Sequence, residues 1–267
     1  MKKLIYRILA FMLDMLLCYF IILGLSFISY INPSKNDANQ VMEYQSNLTR
    51  QYSELTENYN SFFEDNKIDS DEYKTLFTNY SYFSECFKDI NIDEEVSEDK
   101  NKEILTNINN EYNDTYNKFV YQINTYNRNM YIIDIIVYIL YFGILEFILH
   151  GKTVGKLLFR LKTVYNSNPK KDIPLWKYLI KAILISETIF LLVNIFIVNI
   201  KDINTYINIY KINSYIQYFY ELAFIIVMIL RDDERSIHDL LLNIRVCLYD
   251  KNGKEIESKI FNEETNN

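Results

Sequence analysis

A chain of 267 residues has room for one large or two modest domains. Its 49% hydrophobic content and mean hydropathy of −0.10 describe a soluble protein only as an average, because the strongly apolar residues collect in four blocks, 4–31, 131–149, 178–200 and 215–230. The formal charge of −7 arises in the polar stretch between the first two blocks, so it gives no argument for a nucleic-acid partner, and none is expected.

Lys2, Lys3 and Arg7 lead the first block as the basic region of a signal peptide would. The apolar run is longer than the roughly 7–15 residues of a signal peptide, however, and Asp14 interrupts it. No small-x-small site follows near Ser29, and Leu17 before Cys18 is too bulky for lipoprotein processing. The segment is expected to remain as a membrane anchor. Arg7 and Asp14 lie seven residues apart, on nearly one helix face and about 10 Å apart along the axis. Arg7 is placed to snorkel to the headgroups. Asp14 is too deep for that and is expected to face the bundle interior.

Residues 38–129 contain no Pro and no Gly, which favours long helices. Val41, Leu48, Leu55 and Phe62 recur every seven residues beside Tyr44, Tyr52 and Tyr59, a narrow apolar seam. A second helix is expected from Asp69, where Asp69 and Glu72 spell a capping box, with a face of Tyr73, Leu76, Phe77, Tyr80, Phe83, Phe87 and Ile90. A third carries Ile104, Ile108, Tyr112, Phe119, Ile123 and Tyr126 and is expected to continue into the second span. The seams suit a small antiparallel bundle, and the tyrosines suit a partner-binding surface over residues 41–126.

The remaining blocks give spans near 131–149, 178–200 and 212–230. The loop after the second carries Lys152, Lys156, Arg160, Lys162, Lys170, Lys171, Lys177 and Lys181 against Asp172, whereas residues 33–129 hold nineteen carboxylates and nine basic side chains. By the distribution of basic residues, both termini and this loop are expected in the cytoplasm and the insert outside. Cys18, Cys86 and Cys247 then fall in separate compartments, so no intrachain disulfide is expected. Glu146, Glu187 and Glu221 lie within spans and Asp134 at the outer edge of one, with no lysine or arginine expected at matching depth. Two readings stay open: structural carboxylates, protonated or hydrogen-bonded, or a proton or cation pathway. The run from His150 to Lys156 has the letters of a phosphate loop, but Glu146 stands where the first glycine belongs. Gly151, Thr153 and Gly155 read instead as a tight turn, with Lys152, Lys156 and Arg160 among lipid phosphates. Residues 161–165 and 244–249 look like short strands able to pair, and His238-Asp239 reads as a proton relay or as a structural pair holding Arg7.

Three motifs in order carry a family resemblance: Tyr6-Arg7-x-x-Ala10-Phe11-x-x-Asp14; Gly151-Lys152-Thr153-x-Gly155-Lys156 with Leu161-Lys162-Thr163-Val164; and Arg235-Ser236-x-His238-Asp239-Leu240-Leu241. Over residues 1–31 and 130–250 the chain resembles the RDD family of membrane proteins. The family's arginine and two aspartates correspond to Arg7, Asp14 and Asp239, and the literal string Arg231-Asp232-Asp233 is a coincidence. The chain departs from the family in Leu242-Asn243-Ile244, where a small residue, Gly and Thr are usual, and in its long insert. The resemblance implies a bacterial inner-membrane protein, often considered a transporter, with no defined substrate.

The expected fold class is all-α: a polytopic membrane bundle of about four spans, an inserted extracytoplasmic coiled-coil-like helical bundle over 32–129, a small cytoplasmic β-ribbon and a polar tail over 251–267. The expected function is proton- or cation-coupled transport through a polar cluster of Arg7, Asp14, Glu146, Glu187, Glu221, His238 and Asp239. The alternative is a non-catalytic anchor whose outer helices bind a protein. No nucleophile–base pair or metal-ligand spacing is visible, so no enzymatic activity, metal or cofactor is expected. Besides the lipid bilayer, the expected partner is a second copy, since four spans make a thin wall for an enclosed path.

Overall fold

The computed structural model describes residues 2–62, 67–92, 95–250 and 255–256, without the side chains of Lys2, Ser186 and Glu187. The polar tail 251–267 therefore lies outside the described residues except for Glu255 and Ile256. The chain divides into two units, one made of residues 1–33, 128–199 and 208–267, the other of residues 34–127 and 200–207.

In the insert unit, α2 (Lys35–Phe62) and α4 (Glu98–Tyr126) run antiparallel. Their cross-contacts fix the direction: Tyr44 against Phe119, Tyr52 hydrogen-bonded to Asn109 at 2.5 Å, and Tyr59 to Asn101 at 2.5 Å. Leu48 and Leu55 of the seven-residue seam are fully buried against Ile104 and Ile108. α3 (Ser70–Asn79) starts at the capping box, with Asp69 accepting from the Glu72 N–H at 2.8 Å and Glu72 reaching back to the Asp69 N–H at 3.0 Å.

The second helix is shorter than its apolar face suggests. It ends at Asn79, and the chain continues as a tighter helical segment over Ser81–Phe87. Buried Gln51 supplies a reason, because its Oε1 accepts from the Tyr82 N–H at 3.3 Å, a backbone donor that the helix end leaves without a ladder partner. Leu76, Tyr80, Phe83, Phe87 and Ile90 still reach one core. α4 closes at Asn127 rather than running on as one element.

In the other unit, α1 (Lys2–Ser26) is followed by α5 (Arg128–Tyr138), a wide π-helical stretch Ile139–Leu145, and α6 (Glu146–Ile148). Among the described residues, three segments are long and apolar enough to cross a membrane: Lys3–Ser26, Arg128–Ile148 and Ile203–Leu230, the last being α10. The segment expected as an unbroken span over 178–200 is instead two helices, α8 (Leu175–Ile183) and α9 (Ser186–Ile197), with a 60° bend between Leu175–Ile183 and Thr188–Ile197; a fourth crossing requires this pair to act as one span. The Tyr220 hydroxyl donates to the Leu184 carbonyl at 2.6 Å, supplying a partner where the ladder is interrupted.

Two five-residue helices, α7 (Val154–Leu158) and α11 (Ile237–Leu241), each precede a strand. β1 (Leu161–Tyr165) and β2 (Ile244–Leu248) pair antiparallel, Thr163 opposite Val246. Leu161 and Val246 pack on Ala10 of α1, while Ile244 packs with Tyr178 of α8, so the ribbon bridges these two helices. Gly143 in the π-helical stretch lets it lie close on α8, where a Cβ would sit 3.0 Å from a Leu179 methyl carbon.

Candidate functional site

Asp14 projects from α1 and is 1% exposed. Three donors converge on it: the Tyr141 hydroxyl at 2.6 Å, the Thr153 hydroxyl at 2.5 Å and the Gly155 N–H at 2.7 Å. Tyr141 comes from the π-helical stretch; Thr153 and Gly155 come from the start of α7. The close approach depends on Gly155, because a Cβ there would lie 2.2 Å from the Ala10 carbonyl oxygen. Thr153 caps α7 by accepting from the Lys156 N–H at 3.3 Å while it donates to Asp14. Gly151 sits at φ 89° and accepts from the Thr163 N–H at 2.8 Å, folding the turn back onto β1.

Glu146, fully buried, lies at a second centre. Lys156 Nζ donates to it at 2.5 Å, Lys181 Nζ contacts both carboxylate oxygens at 2.9 and 3.0 Å, and the Thr163 hydroxyl donates at 2.6 Å. This corrects two expectations. A lysine does stand at the depth of Glu146, since Lys181 on α8 reaches it from 35 positions along the chain. Lys156 is turned inward from α7 onto Glu146 and away from lipid phosphates, leaving Lys152 and Arg160 around a separate shallow groove with Lys162 and Asp250. Burial pulls the Lys156 ammonium down to about 8; Glu146 opposes that shift and the Lys181 charge adds to it.

Arg7 and Asp239 form the third centre. Arg7 Nη2 donates to Asp239 Oδ2 at 2.6 Å, and Nη1 donates to the Glu234 carbonyl, so the arginine is held by the chain instead of extending to headgroups. Asp239 also accepts from the Ser236 N–H at 3.3 Å at the start of α11. Burial pushes the Asp239 carboxyl up, but His238 and Arg7 outweigh it and hold it well below the usual carboxylate range. Arg7 is the lasting influence, because burial pulls the His238 ring down, against Asp239, and favours its neutral form. His238 Nε2 lies 3.3 Å from Ser236 Oγ and 3.2 Å from Asp239 Oδ1, and its Nδ1 is buried without a hydrogen-bond partner. The Arg231-Asp232-Asp233 string takes no part in these centres; Asp233 holds Arg231 at 2.9 Å and Arg235 at 2.6 Å.

The three centres surround a cavity of about 330 Å3 lined by Arg7, Asp14, Lys156, Lys181, Glu221 and His238 among largely apolar walls. Glu221 on α10 accepts from Gln217 at 3.0 Å, one turn earlier on the same helix. Ile185, at the break between α8 and α9, also lines the cavity. The side chain of Glu187 lies outside the described residues. Among the described residues no three His, Cys, Asp or Glu side chains converge as metal ligands would.

Tyr141 was not singled out from the sequence, and Thr163 and Lys181 entered only as a letter of a family motif and as one of the basic residues of a loop. Tyr141 offered one signal, a hydroxyl-bearing side chain on an apolar span that also carries Glu146. Lys181 offered another, a basic residue one turn beyond Lys177 inside the apolar α8.

Three long apolar helical segments, two of them tied by buried ion pairs to shorter helices, together with a carboxylate saturated with donors, point to a multi-pass membrane protein. A model of the RDD family matches residues 2–243, nearly the whole chain, and the chain belongs to that family. No curated protein and no solved structure matches it.

Proposed function

We propose that the chain is a plasma-membrane transporter that exchanges protons for a cation at the cavity bounded by Arg7, Lys156, Lys181 and Glu221. The observation that carries this reading is the sharing of Glu146 by Lys156 and Lys181, both of which line the cavity. Burial loosens the hold of the Lys156 ammonium on its proton, and release of that proton frees one share of the Glu146 charge, which an entering cation can take. The broken α8–α9 pair at the cavity wall adds support, because interrupted membrane helices commonly border transport sites. The basic residues between 152 and 181 favour an orientation with both termini and the ribbon in the cytoplasm and the insert outside. Lys152, Arg160 and Lys162 then face the inner-leaflet phosphates, and a homo-oligomer is the working unit.

The partner-binding alternative has weaker support. The aromatic seam of the insert is turned inward on its own core, so a partner would have to read its polar outer face.

The test is proton movement in liposomes under imposed sodium or potassium gradients, comparing wild type with Lys156→Arg. Arginine keeps the positive charge against Glu146 but does not release a proton. Flux in the wild type that this variant loses supports exchange through Lys156. Equal flux in both, or none from folded wild type, removes the proposal.

A further inference from the structure

Formal charges around the cavity do not balance. Arg7, Lys156 and Lys181 stand against Asp14, Glu146 and Asp239, which cancel, and Glu221 on the facing helix leaves one negative charge over. Among the described residues no basic side chain pairs with Glu221, whose hydrogen bond is to neutral Gln217. An uncompensated carboxylate in an apolar span is costly unless something neutralises it.

The walls supply the rest of the description. Phe11, Phe142, Tyr220 and Phe224 present aromatic rings to the cavity, and ring faces attract cations. A volume of about 330 Å3 is at the lower end of the roughly 300–1,000 Å3 of small-molecule pockets and much larger than a bare alkali ion needs.

We propose that this cavity binds a hydrophobic organic cation, a primary ammonium on an aromatic body, its charge set against Glu221 and its rings against the aromatic walls. The proposal deepens the transport reading, on which it rests for the cavity's purpose, by naming the class of cation.

Tryptamine is a suitable probe, and indole-3-propionate has nearly the same body with the opposite charge. Both are titrated calorimetrically into the full chain in zwitterionic lipid nanodiscs, with empty nanodiscs subtracted. Saturable one-to-one binding of tryptamine, absent for indole-3-propionate, is expected. Glu221→Gln, which keeps shape and removes charge, is expected to weaken it at least tenfold with an unfolding midpoint no lower than that of the wild type. Ile225→Trp, which fills the cavity from a lipid-facing position, is expected to abolish it and serves if Glu221→Gln does not fold. No saturable binding, equal binding of the anion, or undiminished binding in these variants overturns the proposal. Proton flux in liposomes reconstituted with the same purified protein, under imposed sodium, potassium or tryptamine gradients, separates the two readings. Flux without tryptamine binding overturns this proposal and leaves transport standing, while binding without any flux supports the site and removes transport.

Discussion

Glu146 is the hinge of the buried charge network, and replacing it with glutamine should cost more than replacing either of its lysines. Glu146→Gln leaves two buried ammonium groups without the carboxylate they share, and breaking a buried pair from one side costs about 3–5 kcal/mol. Lys156→Met leaves Lys181 on both carboxylate oxygens, and Lys181→Met leaves Lys156 at 2.5 Å. Each of these removes one charged contact, worth about 1.5–3 kcal/mol. The triple replacement Glu146→Gln, Lys156→Met, Lys181→Met removes all three charges and is expected to recover most of the loss, because an apolar substitute avoids the desolvation of ions. Trp176, the one tryptophan, sits on α8 five residues before Lys181 and reports unfolding in mixed micelles by its fluorescence. An unfolding free energy for Glu146→Gln equal to or above that of both lysine variants would refute the shared-carboxylate account.

Other expectations can be checked with the same fluorescence assay or a direct structural probe. Gly155→Ala puts a Cβ within 2.2 Å of the Ala10 carbonyl, so α7 must move off α1; a loss of about 1–3 kcal/mol is expected, together with a shifted Gly155-region amide spectrum. His238 holds its proton less tightly when folded, so the unfolded chain takes up the extra proton below its own value near 6.5. Its contribution to stability is full above that pH and declines below it, by at most about 1.4 kcal/mol per pH unit; unfolding curves between pH 7.5 and 5.5 should flatten in His238→Gln. Asp69→Ala removes the cap of α3 and should cost about 1 kcal/mol, read by thermal unfolding of the insert's helical signal.

Some of this was legible in the sequence because the chemistry is local. The capping box at Asp69 needs four consecutive positions, and the Leu48–Leu55 seam needs only helical spacing. Arg7, Asp14 and Asp239 stood out because ionisable groups are rare beside apolar runs. Other features depend on the path of the chain. The end of α3 at Asn79 has no glycine or proline to announce it and is tied to Gln51, some 30 residues earlier. Lys181 looked like one more basic residue of a cytoplasmic loop, because nothing in its neighbours reveals that α8 brings it to Glu146. The break between α8 and α9 was hidden by a hydropathy that continues through it.

The bond between Arg7 and Asp239 joins residues 232 positions apart. During synthesis the first helix must therefore enter the bilayer long before its counter-ion exists. At about 5–20 residues per second, Arg7 waits on the order of ten to fifty seconds, and Asp14 waits more than half as long for Tyr141, Thr153 and Gly155. A chain cut short of residue 239 keeps Arg7 without that partner, so the contact that ties the first helix to the far end of the sequence is the last to form.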